Sequence, residues 1–115
     1  MTVTIYHNPR CSKSRQTLAL LEEKGVKPKI VTYLETPPSA AELKRILKKL
    51  GLKPRDIMRK NEARYAELGL KDADLKDDDL IAAMVENPIL MERPIVVSGD
   101  KAALGRPPEA VLKIV

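Results

Sequence analysis

The fold turns on one stretch: Val3-Thr4-Ile5-Tyr6-His7, then Asn8-Pro9-Arg10-Cys11, then Ser12 to Lys24, then Lys29-Ile30-Val31-Thr32-Tyr33. Val3 to His7 is short and rich in β-branched residues, and it stops at the turn dipeptide Asn8-Pro9, which predicts a strand. From Ser12 to Lys24 the spacing becomes helical. Thr17, Leu18, Leu21 and Gln16 share a face, and Gly25 stands where a left-handed residue closes a helix. Lys29 to Tyr33 reads as a second strand. A strand, a helix and a strand within about 30 residues form a βαβ unit, so the two strands should run parallel.

Beyond this unit, Pro37-Pro38 leads into Ser39-Ala40-Ala41-Glu42, a capping box that opens a helix. Leu43, Ile46, Leu47 and Leu50 repeat at helical intervals until Gly51. Pro54 suits the first turn of a short helix running through Arg59. The acidic cluster Asp77-Asp78-Asp79 suits the positive end of a helix dipole, with Leu80, Ile81 and Met84 as the apolar side and Asn87-Pro88 as the close. Pro94 introduces a third strand, Ile95-Val96-Val97. Ser98 to Lys101 is turn chemistry, Ala102 to Leu104 a short fourth strand, and Pro107-Pro108 the start of a last helix carrying Ala110, Val111, Ile114 and Val115. The expected architecture is one α/β domain over 1–115: a four-stranded mixed sheet flanked by helices, with a helical insertion at about 39–87.

Composition narrows the function classes. The chain has 115 residues, 43% apolar, with three Tyr and no Phe or Trp. That length suits a single domain, with an interior of Leu, Ile, Val and Ala. No apolar run approaches the roughly 18 residues of a membrane span, and the first residues lack the basic end and long apolar stretch of a signal peptide. A cytoplasmic protein without membrane association is expected. The single Cys11 excludes an internal disulfide and a zinc site of several thiolates, and no metal is expected. The formal net charge is +5, and Lys44 to Lys60 carries eight basic side chains against one Asp. With only Tyr65 nearby for stacking, this interval reads as a solvated helix face, so no nucleic-acid partner is expected.

Cys11 falls where the first strand gives way to the first helix. The N–H groups of residues 12 to 14 have no intrahelical partner there, and they favour a thiolate together with the helix dipole and Arg10, Lys13 and Arg15. The competing reading is a small buried hydrophobe, but no apolar pattern around Cys11 calls for one. Ser14 occupies the place of a resolving cysteine in a dithiol oxidoreductase, so any redox cycle needs a thiol from outside. His7, four residues before Cys11, is read either as a hydrogen-bonding partner around the site or as a half-buried strand residue. A phosphatase loop is excluded, since Thr17 stands six residues after Cys11 where that chemistry needs Arg. Arg59, Arg93 and Arg106 stand at a helix end, a strand mouth and a helix start, places from which a guanidinium can fork onto an oxyanion.

Tyr6-His7-Asn8-Pro9 with Cys11 and Ser14-Arg15, Tyr33-Leu34-Glu35 with Pro37-Pro38, Arg59-Lys60-Asn61, Tyr65 with Glu67-Leu68-Gly69-Leu70, Pro88-Ile89-Leu90, Arg93-Pro94-Ile95-Val96-Val97 and Arg106-Pro107 together form a pattern. In order and spacing it closely resembles the glutaredoxin-coupled arsenate reductases, the ArsC type with a thioredoxin-like fold. The resemblance runs from residue 4 to about 112. It implies Cys11 as nucleophile, Arg59, Arg93 and Arg106 as holders of the oxyanion, and His7, Ser14 and Arg15 as supporting residues of the loop. It also implies a cis peptide before Pro94. The implied activity is reduction of arsenate to arsenite for arsenic detoxification, with glutathione as co-substrate, glutaredoxin as partner and no bound cofactor. Two other readings use the same features: a glutathione-dependent thiol reductase or deglutathionylase acting through Cys11, and a non-enzymatic, Spx-like transcriptional regulator docking through the basic insertion. Spx-type regulators commonly carry Cys-x-x-Cys, and Ser14 argues against them.

Overall fold

The computed structural model describes residues 2–115. They divide into two compact units: the segment up to Thr36 with Arg93–Val115, and Pro37–Glu92. The first unit is built on a four-stranded sheet of β1 (Val3–His7), β2 (Lys29–Thr32), β3 (Ile95–Ser98) and β4 (Lys101–Leu104), in the order β2-β1-β3-β4. As the βαβ reading requires, β1 and β2 are parallel, with His7 beside Thr32. The other neighbours are antiparallel, β1 with β3 and β3 with β4. This is the thioredoxin-like arrangement, and it places β1, the strand that delivers Cys11, in the interior of the sheet.

Helix α1 (Ser12–Glu23) crosses from β1 to β2. It stops because Gly25 takes φ 79°, open to a residue without Cβ, and the chain closes the last turn with Gly25 N–H to Glu22 O at 3.0 Å and Val26 N–H to Leu21 O at 2.9 Å. Its inner face is Ser14, Thr17 and Leu21, while Gln16, expected on that face, is exposed. Leu21 belongs to a core with Val3 and Ile5 of β1, Val96 of β3 and Val111, onto which Leu18, Val26, Ala103 and Ile114 also pack. The period-two alternation of Val3 and Ile5 puts both on the α1 side, and Ile5 pairs with Val96 across the strands.

The second unit is helical. Helix α2 (Ala40–Leu50) starts at Ser39, whose Oγ accepts the Glu42 N–H at 3.1 Å, and ends at Gly51. A short α3 (Ala63–Glu67) and α4 (Asp77–Glu86) follow, and the Asp79 carboxylate accepts the Lys76 N–H at 2.9 Å at the start of α4. Leu43, Ile46 and Leu47 of α2 and Leu80, Ile81 and Met84 of α4 are buried, and the two helices pack together. Arg55 secures the segment after α3: its guanidinium donates to the Tyr65 hydroxyl at 2.8 Å and to the carbonyls of Leu70 and Asp72. No helix among the described residues is long and apolar enough to cross a membrane.

Several boundaries differ from the sequence reading. The helix expected from Pro54 through Arg59 is only a 3-10 turn, Pro54–Ile57, because Met58 becomes extended and forms a bridge with Met91. The last helix is likewise a 3-10 segment, Pro108–Lys113, that stops before Ile114 and Val115. Tyr33 leaves β2 for a turn closed by Glu35 N–H to Thr32 O at 3.0 Å, and β4 starts one residue early at Lys101. Neither α3 nor the 3-10 turn Pro88–Leu90 carries a periodic signal long enough to read.

Leu21 is fully buried, so L21A should destabilise the protein by about 2–5 kcal/mol in urea denaturation, the usual cost of an aliphatic cavity. A loss below about 1 kcal/mol would mean that α1 is not held to the sheet by this contact.

Candidate active site around Cys11

Cys11 is the N-cap residue of α1, extended at φ −92° and ψ 123°, and its N–H donates to Asn8 O at 3.0 Å. That bond folds the loop back, so the sulfur sits at the start of the helix. The side chain is 8% exposed. Burial alone pushes the thiol up. The Ser14 N–H, the Arg93 guanidinium and the Lys13 N–H outweigh that penalty, and the net effect holds Cys11 below its ordinary value. Arg106 Nη2 stands 4.0 Å from the sulfur, and Arg106 Nε donates to Arg93 O at 2.9 Å. Two arginines far from Cys11 in sequence thus meet its sulfur, one half-buried and one exposed.

The loop before Cys11 is braced from within. Ser14 Oγ accepts the Asn8 N–H at 3.0 Å and lies 2.6 Å from His7 Nδ1. Ser14 is fully buried, and His7 is buried rather than half-buried as expected for a strand residue. Its burial, and then the positive charge of Arg15, hold the imidazole below its ordinary range and so favour the neutral ring. With Nδ1 unprotonated the Ser14 hydroxyl donates to it; with the other tautomer it accepts. Arg15 also ties the loop, donating from Nη1 to Pro9 O at 2.9 Å.

Both Arg93-Pro94 and Arg106-Pro107 are cis; the first was expected from the resemblance, the second was not. Between them, Gly105 donates its N–H to Pro94 O at 2.9 Å. A Cβ at Gly105 would fall 2.5 Å from Thr17 Oγ1 and 2.6 Å from Pro94 Cγ. Thr17 cannot easily turn away, since its hydroxyl donates to Lys13 O at 2.8 Å. Gly105 and Thr17 therefore set how closely the Arg106 segment approaches α1, a role that Thr17 hid behind its place in the apolar face. Arg59 belongs to the second unit, where it follows the 3-10 turn; its N–H donates to Leu90 O at 2.7 Å and its guanidinium pairs with Glu62 at 2.6 Å.

A cavity of 870 Å³ lies at the opposite end of the same sheet, beside Val3, Lys27, Lys29 and Ser98. Its lining carries hydroxyl and amine groups but no thiol, which in this chain belongs to Cys11 alone. Among the described residues no group of three His, Cys, Asp or Glu side chains could hold a metal ion. The Cys11 constellation can present a thiolate to an anion, with guanidinium groups to meet the anion's charge.

Two outcomes test this geometry. The pH profile of Cys11 alkylation should inflect below the free thiol value of about 8.5, and R93L should move the inflection upward by removing a cation that favours the thiolate. An unchanged profile would remove Arg93 from the electrostatics of the sulfur. G105A should cost about 1–3 kcal/mol of stability through overpacking, and a neutral result would show that Pro94 and Thr17 yield freely.

The ArsC family model matches residues 6–114. An Escherichia coli K12 protein, YfgD, described as uncharacterized, is 60% identical over 98% of this chain and 96% of its own length. An arsenate reductase of Haemophilus influenzae is 53% identical over 99% of both chains. The solved structure of an arsenate reductase from Vibrio cholerae superposes with a TM-score of 0.97 at 58% identity, covering 100% of this chain and 98% of that one. The family match runs through the Cys11 loop, both cis-proline segments and the arginines on them: this chain belongs to the ArsC family.

Proposed function

We propose that this protein reduces arsenate to arsenite, with Cys11 as the nucleophile and with glutathione and glutaredoxin as the source of electrons. The observation that carries the proposal is the Cys11 thiol, favoured as thiolate despite its burial, with Arg93 and Arg106 at its sulfur. Relatives named arsenate reductase, matched along nearly their whole length, support the same reading.

In the first step the Cys11 thiolate attacks arsenic, an S–As bond forms and an oxygen leaves as water. Arg93 and Arg106 offset the negative charge that gathers on the oxygens as arsenic becomes five-coordinate. A glutathione thiolate then attacks the Cys11 sulfur. The S–As bond breaks with its electron pair staying on arsenic, so As(V) becomes As(III), arsenite departs, and Cys11 is left in a mixed disulfide with glutathione. Glutaredoxin takes the glutathionyl group and frees the Cys11 thiolate. The sum is arsenate plus two glutathiones giving arsenite, oxidised glutathione and water. His7, Ser14 and Arg15 act by holding the loop that aims the sulfur. Phosphate can enter the same cationic surroundings, but thiols do not reduce phosphorus, so selectivity rests on the redox step more than on binding.

Arsenate-dependent NADPH oxidation, coupled through glutathione, glutaredoxin and glutathione reductase, tests the proposal. Wild type should turn over, and C11S should be inactive with its thermal unfolding unchanged. R93K keeps the charge but loses the fork, and should reduce kcat/KM at least about tenfold, or roughly 1.4 kcal/mol of transition-state stabilisation. Activity of C11S near wild type would overturn the assignment of the nucleophile, and a folded wild type without arsenate-dependent turnover would overturn the reaction.

A further inference from the structure

We propose that a cleft bordered by Arg10 and Glu35 binds the zwitterionic γ-glutamyl end of the thiol co-substrate. The proposal rests on the function above and names where its reductant docks. The cleft measures 280 Å³ and lies within the first unit, between the loop after β1, with Asn8 and Arg10, and the turn after β2, with Thr32, Leu34 and Glu35. Its position follows from topology. Because β1 and β2 are parallel and His7 is in register with Thr32, the segments leaving both strands open side by side at the carboxyl edge of the sheet, where α/β folds commonly receive ligands.

Both carriers of charge are held by their backbones. Arg10 N–H donates to Asn8 Oδ1 at 3.0 Å, and Glu35 N–H and Thr36 N–H both donate to Thr32 O at 3.0 Å. The two side chains are exposed, and neither belongs to an ion pair among the described residues. A cleft with one cation and one carboxylate suits a ligand whose ammonium and carboxylate stand on neighbouring atoms. That is the α-amino-acid head of a γ-glutamyl thiol. A simple oxyanion gains nothing from Glu35, and a ligand end bearing only a carboxylate is repelled by it. Leu34, 42% exposed on the same wall, offers apolar surface to the methylene groups between that head and the rest of the ligand. Arg10 and Cys11 are neighbours in the chain, so the loop that lines the cleft also carries the reactive sulfur.

The test needs no arsenate. Oxidised glutathione reacts with Cys11 when the thiolate attacks one disulfide sulfur, the S–S bond breaks and a glutathione thiolate leaves; mass spectrometry follows the Cys11 mixed disulfide. The reference is bis(2-hydroxyethyl) disulfide, which has the same reactive bond and no charges. Wild type should react faster with oxidised glutathione by at least about tenfold, the scale of one charge-assisted contact, and E35Q and R10Q should each lose most of that preference. The reference rate of E35Q should stay within about twofold, which shows that the variant is folded and its thiolate intact. No preference in wild type, or a preference unchanged in both variants, would overturn the cleft. If the preference behaves as expected while arsenate turnover is absent, the cleft stands and the arsenate assignment falls. If turnover is intact and the preference is missing, only the cleft falls.

Discussion

The burial of the Cys11 sulfur at the start of α1 is the constraint around which the first unit is organised. Desolvation opposes the charge on Cys11, and only groups fixed in place before the charge appears can offset it. The start of α1 supplies such groups, because the Lys13 and Ser14 N–H donors have no carbonyl one turn back to satisfy them. Their aim depends on α1 being held at both ends. At its start, the Cys11 to Asn8 bond and the Ser14 hydroxyl fix the loop; at its end, Gly25 and Val26 close the helix and Leu21 binds it to β1 and β3.

The cations come from the other half of the unit. Arg93 precedes β3 and Arg106 follows β4, so the hairpin of these two strands returns both to the end of β1 that carries Cys11. The Arg106 Nε to Arg93 O bond and the Gly105 N–H to Pro94 O bond join the two segments directly. Two guanidinium groups brought together in this way repel each other, and a negative charge between them relieves the repulsion. A negative charge on the Cys11 sulfur would meet part of that need, and in the proposed reaction the oxyanion would meet the rest. This is why a single cysteine with no second thiol nearby can still be chemically active.

How much of this was legible in the sequence depended on the range of the interaction. β1, α1 and the parallel β2 follow from local periodicity and from Asn8-Pro9 and Gly25, and the structure has them within a residue or so. The cysteine at the helix start and its backbone donors were equally local. The short helix expected through Arg59 failed because a distant bridge between Met58 and Met91 draws the chain out of helical geometry, and no neighbouring residue signals that pairing. His7 was ambiguous because its partner, Ser14, lies seven residues on, across the loop. Gly105 against Thr17 was hidden entirely, since a close approach between segments 88 residues apart leaves no periodic mark. Arg93 and Arg106 stood out by their places at a strand mouth and a helix start, but only the strand order brings them to the sulfur.

The most direct test of the central claim is a crystal of the protein soaked in arsenate, with the arsenic located by its anomalous scattering. The account predicts an arsenic peak at bonding distance from the Cys11 sulfur, with its oxygens contacted by Arg93 and Arg106. An arsenic peak elsewhere on a protein with an unmodified Cys11, or both guanidinium groups turned away from the bound anion, would contradict it.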